Sequence, residues 1–114
     1  MAFTPRNTTH PIVVFTFSGV ATLNLGVDVL GLTDPTGSGQ GAGLVGQCLW
    51  FGVQNQTGVD LLITQSAVAT KGILLKDGDM YRPVADPNGN GFDVFEYWLI
   101  SAGAGDVVVE RKIG

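Results

Sequence analysis

Residues 21–29, with the sequence Ala-Thr-Leu-Asn-Leu-Gly-Val-Asp-Val, decide the fold class because apolar residues alternate with other residues along their whole length. The apolar side chains fall at the odd positions, and threonine, asparagine, glycine and aspartate fill the even ones. Successive side chains of a β-strand point to opposite faces, so a period of two places all the apolar groups on one face. The stretch therefore predicts a half-buried β-strand.

Short segments of the same kind flank this stretch, and residues that favour turns separate them. The segment 12–17 is β-branched and aromatic, while Gly58 and Gly78 mark turns because glycine adopts positive φ without steric cost. We expect the segments 44–55 and 59–65 to pair as a hairpin. The predicted strands are 12–17, 21–29, 44–55, 59–65, 72–75, 80–84, 94–101 and 106–112.

About eight closely spaced strands without a helical period predict an all-β protein, either an antiparallel β-sandwich or a small barrel. The length of 114 residues suffices for one hydrophobic core, so residues 12–114 are predicted to form a single β domain. Residues 1–11 contain two prolines and no periodic pattern, which predicts an extended N-terminal arm. The glycine-rich residues 33–43 are predicted to form a surface loop.

Composition argues against several classes of function. The net charge is −4 and the basic residues are scattered, whereas a nucleic-acid-binding protein needs a basic stripe to displace counterions from phosphates. Cys48 is the sole cysteine and His10 the sole histidine, so the chain can form neither an internal disulfide nor a Cys/His zinc site. We expect Cys48 to be buried. Polar residues interrupt the apolar stretch 11–32, which argues against a membrane span or a signal peptide.

Two motifs match known binding patterns only in part. Residues 41–46 fit the glycine pattern of dinucleotide-binding loops, but a strand is predicted after them where that motif needs a helix. Residues 86–91 resemble the start of a calcium-binding loop, yet Tyr97 stands where the pattern requires glutamate. An ordinary turn is the expected structure. The alternative is a weak cation site built from Asp86, Asn88, Asn90 and Asp93.

No catalytic constellation is evident in the sequence. The single imidazole lies in the predicted arm, and the carboxylates fall mainly in predicted turns, so no nucleophile is paired with an oriented base. We therefore predict that the protein is not an enzyme and that it needs no cofactor.

The segments 48–53 and 97–100 are apolar on both faces, and they contain Trp50 and Trp98. A strand of a small isolated sandwich normally has one face in water. We expect the outer face of these segments to be covered, either by a neighbouring copy of the chain or by the N-terminal arm or the long loop.

Residues 50–64, with the sequence Trp-Phe-Gly-Val-Gln-Asn-Gln-Thr-Gly-Val-Asp-Leu-Leu-Ile-Thr, resemble a recurring pattern in small β-structured virion proteins of tailed bacteriophages. The resemblance continues through 72–81, Gly-Ile-Leu-Leu-Lys-Asp-Gly-Asp-Met-Tyr, and 99–107, Leu-Ile-Ser-Ala-Gly-Ala-Gly-Asp-Val. It covers about residues 50–112, and the chain is most similar to capsid decoration proteins, also called cement proteins.

The resemblance implies a structural protein on the capsid surface of a virion, made in the host cytoplasm, that binds and stabilises the assembled head. It implies a homotrimer that contacts the major capsid protein, often through an N-terminal arm. From their positions in the arm and in the two-sided segments, the residues expected to contact the capsid or a neighbouring protomer are Phe3, Pro5, Arg6, Trp50 and Trp98.

Two alternatives remain open. One is a tail or fibre-attachment component of the same particle. The other is a small carbohydrate- or ligand-binding β-module in which Trp50, Tyr81 or Trp98 stacks against the ligand, because aromatic rings combine a large apolar face with a polar edge.

Overall fold

The computed structural model describes residues 10–33, 45–68, 70–83 and 91–113, which fold mainly into antiparallel β-sheets. The strands of these residues are β1 Ile12–Phe17, β2 Ala21–Asn24, β3 Gln47–Cys48, β4 Trp50–Gln56, β5 Leu61–Thr64, β6 Ile73–Leu75, β7 Met80–Tyr81, β8 Phe92–Asp93, β9 Trp98–Ser101 and β10 Gly105–Lys112. Sheet 1 has the strand order β1-β10-β4-β7, sheet 2 has the order β2-β9-β5-β6, and β3 pairs with β8 in a small ribbon.

The two four-stranded sheets share one hydrophobic core, so the fold is an all-β sandwich, as the sequence predicts, and not a closed barrel. Alternation along the strands builds this core: Phe51 and Val53 of β4 and Val107 and Val109 of β10 are fully buried from sheet 1. Leucines and an isoleucine of β5 and β9 meet them from sheet 2. The side chains between these positions face outward.

Short connections distinguish the two ends of the sandwich. The segments 18–20, 57–60, 76–79 and 102–104 each join a strand of one sheet to a strand of the other, and all four lie at one end, here called the arch end. The longer connections begin and end at the opposite end, here called the loop end, and their described residues are 25–33, 45–46, 65–68, 70–72, 82–83 and 91.

The predicted hairpin of 44–55 and 59–65 is wrong. β4 pairs with β10 and β7 in sheet 1, whereas β5 pairs with β6 and β9 in sheet 2. The residues between them do turn, with Gly58 at φ 82°. They turn across the core instead of within a sheet, because Asn55 bonds the connection from inside: its side-chain amide donates to the carbonyl oxygen of Val59 at 2.7 Å.

The predicted strand 21–29 ends early. β2 stops at Asn24, and Leu25–Val29 forms a π-helical turn. The side-chain oxygen of Asn24 accepts hydrogen bonds from the backbone N–H groups of Gly26 and Val27, which starts the turn. A Cβ atom on Gly26 would lie 2.5 Å from the ring of Phe95, so glycine allows this turn to pack against residues 94–96. Local side-chain bonding thus overrides the alternating pattern.

The predicted strand 94–101 also begins with helical geometry. Val94–Glu96 forms a 3₁₀ turn, and the carboxylate of Asp93 accepts the backbone N–H of Phe95 at 3.0 Å as its cap. Neither helical segment in the described residues is long and apolar enough to cross a membrane. Residues 1–9 of the predicted arm and 34–43 of the predicted loop lie outside the described residues.

Candidate functional site

The residues predicted to make contacts do not form one surface. Phe3, Pro5 and Arg6 lie outside the described residues. Trp50 occupies an outward-facing position of β4 in sheet 1, and Trp98 occupies an outward-facing position of β9 in sheet 2. The two half-buried tryptophans therefore lie on opposite faces of the sandwich, and no single flat partner contacts both.

Trp50 is the centre of a four-residue cluster on the outer face of sheet 1. The guanidinium carbon of Arg82 lies 4.4 Å from the centroid of the indole ring. The imidazole of His10 packs against the indole in a T-shaped arrangement, with 4.9 Å between the two ring centroids. Glu110 holds both basic groups: its carboxylate pairs with Arg82, and its Oε2 lies 3.2 Å from Nε2 of His10. Side chains of the same chain thus cover much of the ring, which leaves one fewer face for a stacking ligand.

Next to this cluster, a line of three apolar side chains and one glutamine runs across the outer face of sheet 1. Val14, Val108, Gln54 and Met80 stand directly opposite one another on the four strands, and we call this line the outer row. The side chain of Val14 is 61% exposed and that of Met80 47% exposed, and Ile12 beside them is 63% exposed. Large apolar groups at these exposures are uncovered by the described residues, which is typical of a surface that binds another protein.

A cleft of about 390 Å³ opens at the loop end, where β6 leaves β5. Ile63 pairs with Ile73, but the next residue of β5, Thr64, pairs only with Trp98 on its other side. Gly72 makes this departure possible, because a Cβ atom there would clash with the carbonyl oxygen of Ile63. The volume lies within the range of roughly 300–1,000 Å³ that small-molecule sites occupy.

The cleft combines aromatic and polar walls. Tyr81 and Tyr97 supply the rings, the segment 64–66 supplies hydroxyl and amide groups, and Lys71 supplies the single charge. Burial raises the pKa of the Tyr97 phenol, and Tyr81 and Glu96 act in the same direction, so this hydroxyl stays protonated at neutral pH and can donate a hydrogen bond. Trp50 and Trp98 do not line the cleft.

Arg111 and Cys48 lie on the inner side of the loop end. Arg111 lies on the inward face of β10, the same face as Val107 and Val109. Its Nε and Nη1 atoms are buried and have no hydrogen-bond partner among the described residues. Cys48 is 5% exposed, which confirms the predicted burial, and desolvation raises its pKa to about 11. A thiol with that pKa is a poor nucleophile at neutral pH.

The two partial motifs have different outcomes. The predicted dinucleotide motif 41–46 ends in a turn at 45–46, and β3 follows directly. The helix that a dinucleotide-binding loop requires after its glycines is therefore replaced by a strand. Of the predicted cation ligands, Asp86, Asn88 and Asn90 lie outside the described residues, and Asp93 caps the 3₁₀ turn. Within the described ranges, no group of three or more His, Cys, Asp or Glu residues could hold a metal ion.

Sequence reasoning missed the outer row and the cleft. The outer row exists only through the register of four strands that are distant in sequence. Its one local signal was available, since the even positions of 12–17 are apolar or β-branched where a solvated strand would carry charges.

No family model matches this sequence, and neither a curated protein nor a solved structure matches it.

Proposed function

We propose that the protein is a non-enzymatic structural protein of a bacteriophage particle, a decoration protein that binds the assembled head and stabilises it. The observation that carries the proposal is the outer row of sheet 1, which the described residues leave uncovered. The assignment to a phage head rests on the resemblance of about residues 50–112 to virion proteins.

The outer face of sheet 1 suits attachment to a protein shell. Val14 and Met80 offer apolar area at two strands of one sheet, and the Trp50 cluster supplies charged groups at the loop-end border of the same face. Burial of such a strip contributes roughly 25 cal/mol for each Å² of apolar surface. Repeated over many copies on a particle, modest contacts add through avidity, and binding only to the assembled lattice shifts the equilibrium toward intact heads.

Particle location tests the proposal. An antibody against the protein should label the heads of purified phage particles in immunogold electron microscopy, and heads that lack the protein should lose their DNA at a lower temperature. Labelled tails would favour the tail or fibre-attachment alternative. Unlabelled particles would contradict both.

A pair of charge variants tests which face binds. Met80→Lys places a charge in the outer row, whereas Leu74→Lys places the same charge on the outer face of sheet 2 at a residue of similar exposure, 50% against 47%. Binding of the purified protein to heads that lack it should weaken about tenfold or more for Met80→Lys. Leu74→Lys should bind as the wild type does, and equal weakening would contradict the assignment to sheet 1.

A second candidate function, supported by the cleft, is binding of a small sugar-like ligand at the loop end. Tyr81 and Tyr97 offer rings to the apolar face of a pyranose, and the hydroxyl and amide groups of 64–66 offer partners to its hydroxyls. A glycan array tests it: binding by the wild type that Tyr81→Ala removes would support this function. Silence of the array would remove it.

A further inference from the structure

We infer that the edge of β1 that the described residues leave free pairs with β1 of a second copy, so that sheet 1 continues across a twofold axis as one eight-stranded antiparallel sheet. The inference deepens the proposed function, because it doubles the outer face that is offered to a partner. Particle location tests the proposed function, whereas the mass of the purified protein tests the dimer, so one can fail without the other.

The direction of the backbone groups of β1 follows from its register. The backbone N–H of Arg111 donates to the carbonyl oxygen of Pro11 at 3.3 Å, so Pro11 directs its carbonyl toward β10. In an antiparallel pair, hydrogen-bonded and non-hydrogen-bonded residues alternate. The odd residues of β1 therefore bond to β10, and the even residues Ile12, Val14 and Thr16 direct their N–H and C=O groups away from it, to the free edge.

The edge of β1 lacks the devices that normally block pairing. The strand has six residues in unbroken register and contains neither a proline nor a charge. Proteins usually protect an edge with short strands, bulges, prolines or lysines. The other described edges of the two sheets are short, with four residues in β2, three in β6 and two in β7.

Both faces of β1 are left incompletely covered. On the outer face, Ile12 and Val14 are more than 60% exposed. On the inner face, Val13 and Phe15 are only half-buried although they point toward the core, whereas Phe17 is 1% exposed. An edge strand whose core-facing residues still reach solvent indicates that the sandwich continues beyond this edge.

A second copy of β1 fits this edge by symmetry. With Val14 opposite Val14 of the second copy, Ile12 stands opposite Thr16, and all the paired backbone groups are those at the free edge. This register forms about six backbone hydrogen bonds. It sets the half-buried Phe15 against Val13 of the second copy on the inner face, and no charged side chain of β1 meets another. Pairing of a strand with itself in antiparallel direction is a twofold contact, which gives a dimer and not the trimer that the resemblance implies.

Val14→Pro tests the pairing without disturbing the fold. The N–H of Val14 lies on the free edge, so proline removes no bond to β10, and proline is tolerated at such positions of edge strands. In sedimentation equilibrium, the wild type should have twice the chain mass of 11.9 kDa. Val14→Pro should be a monomer with the same circular dichroism spectrum, its dissociation constant raised at least about a hundredfold. Val14→Thr keeps the N–H and the β-branched shape, and it should remain a dimer.

If Val14→Pro does not fold, Val14→Lys replaces it in the mass measurement. Hydrogen exchange gives a second readout that is specific to this edge. In the wild type the amides of Ile12, Val14 and Thr16 should be protected, and dilution to monomer should expose them while Val13 and Phe15 stay protected by β10. A monomeric wild type, a trimer, or a dimer that Val14→Pro leaves intact would overturn the inference. A monomer that dimerises only after deletion of residues 1–9 would overturn it also, and would assign the edge to that segment.

Discussion

At the arch end, one buried residue bonds two of the four connections, whereas the described residues of the loop end form an open cleft with polar walls. Asn55, which is fully buried, donates to the carbonyl oxygens of Val59 at 2.7 Å and Leu75 at 2.9 Å. Its own backbone carbonyl accepts the N–H of Gly78 at 2.6 Å. Two connections are therefore held from inside the core.

The remaining contacts of the arch end extend this network. The N–H of Ala102 donates to the carbonyl oxygen of Asp60 at 3.0 Å, and the N–H of Gly58 donates to the carboxylate of Asp77 at 3.0 Å. Three of the four arches are thus cross-linked. A network in which buried polar groups are satisfied fixes one conformation. Among the described residues of the loop end, Asn24 is comparable, but two buried nitrogens of Arg111 have no partner there, and the cleft opens beside Tyr97. The arch end is thus cross-linked from within, whereas the described part of the loop end contains the cleft.

The largest expected effect is that of Gly105→Ala at the arch end. Gly105 has φ 147°, and a Cβ atom there would lie 2.5 Å from both Cα and the carbonyl oxygen of Thr57, which are backbone atoms that cannot move aside. We expect a loss of about 4 kcal/mol in the free energy of unfolding, measured with urea. The control is Gly31→Ala at the loop end, where φ is 70° and nothing lies within 4 Å, with a loss of about 1 kcal/mol. Equal losses would remove the contrast between the ends.

Asn55→Ala should cost about 3 kcal/mol, because it removes the bonds of the buried amide to the carbonyl oxygens of Val59 and Leu75 and its bond from the N–H of Thr57. Gln54→Ala, at the adjacent outward position, should change stability by less than about 0.5 kcal/mol. Asn24→Ala breaks an equal number of side-chain bonds at the loop end, but one of them, to the carbonyl oxygen of Tyr97, is long at 3.4 Å, and the substitution should cost about 2 kcal/mol. A larger cost for Asn24 than for Asn55 would reverse the assignment of the two ends.

The buried thiol of the loop end predicts a pH dependence. Because burial raises the pKa of Cys48 to about 11 from its ordinary value of 9.0, the folded state favours the protonated thiol. The resulting stability is fully present below pH 9 and is lost as the pH rises through 11. Between pH 8 and 11 the wild type should lose up to about 2 kcal/mol more than Cys48→Ala does. Parallel curves for the two proteins would show that the thiol is accessible to water in the folded state.

The only expected gain of stability, and a small one, is that of Arg111→Met. The guanidinium has two buried nitrogens without a partner in the described part of the chain, and its burial lowers its pKa, so the charge is held at a cost. Methionine keeps much of the volume, and we expect a gain of about 1 kcal/mol in the free energy of unfolding. A loss of stability would mean that the guanidinium contributes more than its burial costs.

Much of the strand content could be predicted from the sequence. The segments 12–17 and 106–112 agree with β1 and β10 to within one residue, since both are rich in β-branched residues and end at turn residues. The predictions failed where a side chain bonds the local backbone: the amide of Asn24 and the carboxylate of Asp93 each begin a helical turn inside a predicted strand.

The partners of the strands could not be predicted in the same way. A turn sequence with glycine determines that the chain reverses, but it does not determine whether the reversal stays within a sheet or crosses the core. Asn55 decides this for β4 and β5, because from its place in sheet 1 its side chain bonds both the connection, at Val59, and sheet 2, at Leu75. The outer row has the same origin, since Val14, Val108 and Met80 belong to three different segments and meet only through the ladders of sheet 1.

The sequence by itself determined that the chain is an all-β protein with buried Cys48 and glycine turns, because side-chain alternation and φ preferences act over a few residues. Only the tertiary structure decided which strands share a sheet, which side of β1 is left unpaired, and that Trp50 and Trp98 face in opposite directions. Those properties depend on hydrogen bonds and packing between residues far apart in the chain, and register in a sheet is set by such contacts.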